Sequence, residues 1–259
     1  MSGVALHVRE LVVPRREAQD APILDRVSLD VPAGARHALI GGSGSGKSTL
    51  LRAVLGRVPF ASGRIRVGDL AVPAKGRLAR TALARTVAWI PQDAAGALDP
   101  RMPARAAVAE ALRLHGLARG GRQADRLACE ALARVGIPEE AFDRLPGRLS
   151  GGQAQRVAIA RAMASSPGLV LADEPTSAQD PLVQARILDL LFRLCDASEA
   201  TVLLVAHALG IVRRWCPEVT VLHQGRVVES GASADVLDRP RHEVTRLLVS
   251  AETPLPDPV

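Results

Sequence analysis

Residues 41–49 constrain this chain more than any other stretch, because they fit the phosphate-loop pattern G-x-x-x-x-G-K-[ST]. The apolar residues 38–40 before the loop predict a short strand, and residues 49–55 after it predict a helix. This order predicts a P-loop NTPase fold of the α/β class, because the start of such a helix attracts phosphate. We expect Lys47 to meet the β- and γ-phosphates of a nucleotide and Ser48 to bind Mg²⁺. The residues expected to contact the nucleotide are Gly41, Gly42, Ser43, Gly44, Ser45, Gly46, Lys47, Ser48 and Thr49.

A second motif, LSGGQ, comprises Leu149, Ser150, Gly151, Gly152 and Gln153. The pattern S-x-x-Q within it is a capping box, so the motif also predicts an ordinary helix start. A capped start that contains two glycines lets the backbone approach an anion closely. The two interpretations are compatible.

Two continuous apolar runs, 168–172 and 201–206, predict parallel strands that are covered on both faces. Polar residues follow each run, and strand ends of this kind meet at the ligand-binding edge of an open α/β sheet. Asp173 is expected to hold Mg²⁺ through water, with a helix cap as the structural alternative. Glu174 is expected to be the general base that activates the attacking water. His207, after the second run, should converge on the same nucleotide.

Further strands and an inserted helical region are predicted around this core. Alternating polarity over 6–13 and 27–31 predicts an antiparallel β subdomain. Helical spacing over about 104–144, with an Ala-, Leu- and Arg-rich composition, predicts an α-helical subdomain, whose bounds we place at about 94–144. The ATPase domain as a whole is expected to cover 4–250, and the proline-rich tail 251–259 is expected to be disordered.

The phosphate loop and LSGGQ together resemble the ATP-binding subunits of ABC transporters. The resemblance implies ATP hydrolysis at a site shared by two subunits, because the LSGGQ of one covers the ATP held by the other. It also implies that Gln92 touches the Mg²⁺–water shell and links the nucleotide to a permease, and that His207 is the switch histidine near the γ-phosphate. Asp180 matches the family's dimer-crossing loop. Judged on chemistry alone, Gln92 would be a turn residue and His207 a satisfied polar residue at a strand end.

Three positions depart from the family's pattern. Ala208 follows His207 where aspartate is usual, and Gln179 replaces a leucine in the dimer-crossing loop. The first strand ends without the aromatic residue that usually stacks on adenine. Pro14 or Arg15 is therefore expected to cover the base, by contact or by guanidinium stacking, with weaker base selectivity.

Residues 92–101 and 240–248 resemble the peptide/nickel importer branch of the family. The resemblance implies a peripheral subunit at the cytoplasmic face of the inner membrane that powers uptake of a peptide, nickel or metal chelate. Its expected partners are a second ATPase subunit, identical or different, two transmembrane permease subunits and, through them, an extracytoplasmic solute-binding protein. The segments 184–186 and 240–248 also fit an accessory ATPase of a phosphonate carbon–phosphorus lyase complex, which stays open as an alternative. A second alternative is a soluble ABC ATPase that acts on ribosomes or DNA, but such proteins usually carry two ATPase domains or a long coiled-coil insertion, and neither is found in this sequence.

Composition argues against other classes. Aromatic residues make up 2% of the chain, and its net charge of +6 comes from scattered arginines, so no nucleic-acid partner is expected. No apolar run reaches the roughly 18 residues that span a bilayer. Cys129, Cys195 and Cys216 lack metal-site spacing and are expected to be buried, reduced thiols.

Overall fold

The structure is a computed structural model that describes residues 2–15, 21–93, 96–176 and 180–251. The first half of the chain contains β1 (Leu6–Val13), β2 (Leu24–Val31), β3 (Arg36–Ile40), α1 (Lys47–Val54), β4 (Ser62–Val67), β5 (Leu70–Val72), α2 (Gly76–Thr86), β6 (Val87–Ile90), α3 (Ala104–Leu114) and α4 (Gly121–Arg134). The second half contains α5 (Gly151–Met163), β7 (Leu169–Asp173), α6 (Pro181–Ala197), β8 (Thr201–Val205), α7 (Leu209–Trp215), β9 (Glu218–His223), β10 (Arg226–Ala232), α8 (Ser233–Asp238) and α9 (Glu243–Ser250).

A six-stranded sheet in the order β10-β9-β3-β8-β7-β6 forms the centre of the fold. Its strands pair in parallel from β9 to β6, and β10 closes the edge as the antiparallel arm of a hairpin. Every residue of β7 and β8 is buried. Leu169 and Leu171 pack in one apolar cluster, whereas Val170 and Ala172 pack in another. The sequence prediction of strands covered on both faces is therefore correct.

The predicted antiparallel β subdomain is the four-stranded sheet β2-β1-β4-β5. Its inward residues, among them Leu6, Leu11 and Ile65, pack with α1 and the central sheet in one apolar cluster. The strand predicted over 27–31 starts earlier, at Leu24, because Leu24 pairs with Val13 at the far end of β1.

Helices α3, α4 and α5 pack on one another at one side of the central sheet. Their contact faces carry small and branched side chains, such as Ala107, Val108 and Leu132, all buried. The helical content expected over 104–144 is present, while the bounds of 94–144 and 4–250 stay predictions. Residues 94 and 95 and the tail 252–259 lie outside the described residues.

Several elements differ from the sequence prediction, which did not include β5 or the helices α6 to α9. The phosphate-loop helix α1 begins at Lys47, before the expected residue Thr49. Helix α2 was not predicted, because Leu83 is the one residue it buries and its apolar stripe is thin. In the part of the chain that the structure describes, no helix is long and apolar enough to cross a membrane.

Candidate functional site

The phosphate loop connects β3 to α1, and two of its glycines are required by backbone shape and space. Gly46 caps α1 with a φ of 108°, and a Cβ there would lie 2.7 Å from the Leu24 side chain. Gly41 has a φ of 149°, and a Cβ there would lie 2.1 Å from the carbonyl oxygen of Leu222. Both conformations are ones that L side chains rarely adopt. The loop can therefore hold its shape only with glycine at these positions.

Lys47 is folded back into the loop. Its Nζ donates to the carbonyl oxygens of Gly41 at 2.7 Å and Gly42 at 3.0 Å, and the residue is 6% exposed. Burial lowers the pKa of Lys47, although the nearby carboxylates of Glu174 and Asp173 oppose this shift. A buried ammonium group thus lies next to two carboxylates, where a phosphate would add a further negative partner.

Ser45, in the same loop, has a buried hydroxyl with no hydrogen-bond partner among the described residues. An unsatisfied buried hydroxyl costs free energy unless something else bonds to it. On the open side of the loop, a Cβ on Gly42 or Gly44 would meet nothing within 4 Å. This unpartnered hydroxyl and the open glycine backbone fit a nucleotide phosphate.

Two predicted Mg²⁺ ligands, Ser48 and Asp173, contact each other. The Ser48 hydroxyl donates to Oδ1 of Asp173 at 3.3 Å, and Asp173 is 9% exposed. Asp173 is the last residue of β7, so the alternative of a helix cap is wrong. A serine hydroxyl and a carboxylate in contact are oxygen donors of the kind that Mg²⁺ prefers.

Glu174 contacts the other two residues that were expected at the catalytic centre, Gln92 and His207. Its Oε1 lies 2.5 Å from Nε2 of His207, and its Oε2 accepts a hydrogen bond of 3.1 Å from Nε2 of Gln92. The Glu174 side chain is 13% exposed, whereas that of His207 is 55% exposed. The backbone of Glu174 has a φ of 47°, and its N–H donates to the carbonyl oxygen of Val205 at 3.1 Å. The ends of β6, β7 and β8 therefore meet at one carboxylate.

The LSGGQ motif forms the predicted capping box at the start of α5. The Ser150 hydroxyl accepts a hydrogen bond from the Gln153 N–H at 3.2 Å, and the Gln153 side chain accepts one from the Ser150 N–H at 3.0 Å. Leu149 precedes this box and packs against the core. The hydrogen bonds of the described residues do not connect the motif to the phosphate loop of its own chain. This arrangement leaves the motif available to a second subunit.

Asp180 caps α6, where its carboxylate accepts hydrogen bonds from the N–H groups of Leu182 at 3.1 Å and Val183 at 3.0 Å. Its predicted nucleotide contact stays a prediction, and the preceding residues of the dimer-crossing loop, 177–179, lie outside the described residues. Ala208 precedes α7 as its N-cap residue and provides no side-chain cap, which is the local effect of the departure from aspartate. Pro14 and Arg15 are exposed after β1, and their proposed contact with the base is untested.

A groove of about 740 Å³ lies between α2, β6, α3 and α5, and the sequence did not reveal it. Leu83, Val87 and Ala88 on its floor are each 6% exposed. Exposed arginines line its edge: Arg57, Arg80 and Arg161. The one sequence feature that could have indicated the groove is the composition of α2, which carries three arginines and no acidic residue.

Comparison with known proteins places this chain in a family. Residues 24–177 match the family described as ABC transporter, and the chain therefore belongs to it. The chain is 39% identical over 266 residues to the oligopeptide transport ATP-binding protein OppD of Mycobacterium tuberculosis, covering 99% of this chain and 43% of OppD. It is 38% identical over 246 residues to the methionine import ATP-binding protein MetN of Rhodopseudomonas palustris, covering 95% of this chain and 65% of MetN. It thus spans less than two thirds of either relative.

The fold is similar to that of the ATP-binding cassette MJ0796, solved as a dimer in a post-hydrolysis state with ADP and Pi. The TM-score is 0.78 at 26% identity, over 88% of this chain and 98% of that one. The predicted fold class, a P-loop ATPase core of the ABC type, is confirmed.

Proposed function

We propose that this chain is the ATP-hydrolysing subunit of an ABC importer that powers uptake of a small solute through partner permeases. The observation that carries the proposal is the convergence of Gln92, Glu174 and His207 beside the phosphate loop. OppD and MetN are named for oligopeptide transport and methionine import, which favours import over the phosphonate-lyase alternative. A peptide, nickel ion or metal chelate remains the proposed class of solute.

ATP is proposed to bind with its β- and γ-phosphates at Lys47 and at the N–H groups of the loop. Ser48 and Asp173 would hold Mg²⁺, with Gln92 at its water shell. The metal supplies neutralisation of the charge on the phosphates. Replacement of the carbonyl contacts of Lys47 by phosphate oxygens would exchange neutral acceptors for charged ones, which form stronger hydrogen bonds.

Glu174 is proposed to accept the proton of the water that attacks the γ-phosphate. A carboxylate offers about four acceptor positions, so the two contacts seen here leave positions free for that water. Gln92 and His207 hold one oxygen each and thereby fix the plane of the carboxylate. His207, which is largely exposed, can move towards the γ-phosphate when a nucleotide binds.

A complete site is proposed to need two ATPase subunits. The chain supplies one phosphate loop and one LSGGQ motif, and these face different nucleotides in the arrangement that the family resemblance implies. MJ0796, a similar cassette, was solved as a dimer. The second subunit is identical to this chain or a close relative of it.

The groove beside α2 is proposed to take a cytoplasmic helix of a permease. Its lining residues include Arg57, Arg80 and Arg161 but no aspartate or glutamate, and none of the three forms an ion pair with a described residue. Arginines elsewhere, such as Arg105 and Arg213, pair with carboxylates. Arg161 donates to the carbonyl oxygen of Ala97 and Arg57 stacks over Trp89, so neither has a carboxylate partner. An apolar floor edged by guanidinium groups without carboxylate partners fits an amphipathic helix that carries acidic residues.

Co-expression tests this proposal. We expect the chain to join the membrane fraction when it is produced together with the permease genes that neighbour its own gene, and to support solute uptake there. The subunit would then act from the cytoplasmic face of the inner membrane, and the solute-binding protein would reach it only through the permease. Assembly with soluble phosphonate-lyase subunits, with no response to permeases, would support the alternative.

A further inference from the structure

The first turn of α6 is bonded to the segment that follows Glu174. Gln184, in this turn, donates from Nε2 to the carbonyl oxygen of Thr176 at 3.3 Å. Thr176 is 4% exposed, so its carbonyl oxygen has little access to water as an alternative partner. Asp180 caps the same turn, which orders the helix start from which Gln184 projects. The glutamine side chain therefore ties an ordered helix to the backbone two residues beyond the proposed general base.

The backbone of Glu174 needs such support. Its φ of 47° lies in the left-handed region, which is uncommon for a residue with a side chain. Such conformations persist only where surrounding bonds hold them. The N–H of Glu174 is held by the carbonyl oxygen of Val205 on one side, and the bond from Gln184 to Thr176 holds the chain on the other.

A cavity of about 250 Å³ leaves this segment room to move. It is lined by Glu174, Thr176, Gln184 and His207 together with apolar residues of α6, β8 and α7. Close packing does not hold the segment on the cavity side, since that volume is free of protein atoms. Among the residues that the structure describes, the hydrogen bond from Gln184 is thus the polar contact that joins α6 to the Glu174 segment.

The same helical turn lies beside the LSGGQ motif. A Cβ built on Gly152 would lie 3.5 Å from Cγ1 of Val183, which is an ordinary van der Waals distance. Val183 directly precedes Gln184 in the chain. The first turn of α6 therefore lies between the LSGGQ motif and Glu174. The motif would cover the nucleotide of the partner subunit, whereas Glu174 would act on the nucleotide of its own chain.

We propose that Gln184 is a positioning residue for ATP hydrolysis, an inference that rests on the proposed function. It holds the Thr176 carbonyl, and through it the Glu174 backbone, so that the carboxylate faces the attacking water. Because Val183 lies beside Gly152, with no room for more than one added carbon between them, a shift of the LSGGQ surface on binding the partner's nucleotide moves the same turn. Each site thus adjusts the general base according to the occupancy of the other.

The test compares Gln184→Leu, which keeps the size but loses the donor, and Gln184→Asn, which keeps the donor on a side chain one methylene shorter. Both are expected to lower kcat about tenfold or more while KM for ATP stays within about twofold, as for loss of an orienting contact. The Hill coefficient for ATP should fall towards 1 in both. Gln123→Leu, on α4, is the matched control and should behave as wild type. Thermal unfolding of each variant reports any general loss of stability.

Hydrogen exchange gives a readout that does not require turnover. The peptide that spans Glu174 to Gln184 should exchange faster in Gln184→Leu than in wild type, and at the wild-type rate in the Gln123→Leu control. Unchanged exchange and unchanged kcat in Gln184→Leu would overturn the inference. A fall in kcat that is matched by a fall in the folded fraction would also overturn it, because the role would then be structural. An inactive wild type in its assembled complex would instead contradict the proposed function, while the exchange result would still test the hydrogen bond.

Discussion

The hydroxyl of Ser48 donates to the carboxylate of Asp173 over 3.3 Å, and this bond joins the first turn of α1 to the end of β7. The two residues are 125 positions apart in the chain. Their contact places the loop that would hold phosphate next to the strand end that would hold Mg²⁺.

Lys47→Ala should weaken ATP binding about 10- to 100-fold, because it removes charge-assisted hydrogen bonds to phosphate. Lys75, the one other lysine of the chain, lies at the start of α2 and provides the control Lys75→Ala, which should bind ATP as wild type does. Equilibrium titration with a fluorescent ATP analogue measures both. Equal affinities for wild type and Lys47→Ala would contradict the assignment of the phosphate loop.

Glu174→Gln should lower kcat about 10²- to 10⁴-fold, which is the range for loss of a general base. The amide retains the shape of the side chain, so ATP should still bind and the variant should accumulate as an ATP-bound dimer. Sizing chromatography with and without ATP, in the presence of partner chains, detects that species. Glu140→Gln, at an exposed position, is the control. Turnover close to wild type in Glu174→Gln would rule out the general-base assignment.

The double change Arg57→Glu and Arg80→Glu should prevent association with the permeases, because it places like charges against an acidic helix. ATP binding by the purified chain should stay within about twofold of wild type, since both residues lie outside the phosphate loop. The double change Arg122→Glu and Arg134→Glu, at two exposed sites on α4, changes charge equally and should leave association intact. Recovery of the chain in the membrane fraction is the measurement. Normal recovery of the double variant would show that the permease binds elsewhere.

Thiol reagents should distinguish the three cysteines. Burial raises the pKa of Cys195 and of Cys216 to about 12, so their thiolate fraction at neutral pH is minute. Cys129 is partly exposed, which corrects the expectation that all three are buried. Native protein should therefore react rapidly at one thiol and denatured protein at all three. Loss of the rapid phase in Cys129→Ser would confirm that Cys129 is the reactive thiol, and a persistent rapid phase would contradict this prediction.

Stability should fall as the pH drops below about 6.5. Burial lowers the pKa of His37 from 6.5 to about 4, and the residue is 4% exposed. Between these values the unfolded chain binds a proton that the folded chain does not, so the free energy of unfolding decreases as pH falls, by about 3 kcal/mol in total. His37→Gln retains a partner for the Thr220 hydroxyl without titrating and should flatten this decrease. Denaturant unfolding at several pH values measures the slope, and an unchanged slope in the variant would contradict the prediction.

Sequence reasoning located the parts of the site that depend on local pattern. The apolar runs before Asp173 and His207 predicted the strands, and the glycine spacing predicted the phosphate loop. The groove was missed because it is formed by α2, β6, α3 and α5 together, and α2 buries too little apolar surface to be recognised. The assignment of Gln92 to the nucleotide site followed from the family resemblance alone, since a glutamine after a strand has no periodic signature, and its contact with Glu174 was not predicted.

The capping box of Ser150 and Gln153 is satisfied within the motif itself. The shape of the LSGGQ surface therefore rests on hydrogen bonds within its own chain and requires none from a nucleotide or a second subunit. Ordering a loop at the moment of association costs conformational entropy, which weakens a complex. A surface that is rigid from the outset avoids that cost, so that dimer assembly can depend on the nucleotide between the subunits and not on refolding of the motif.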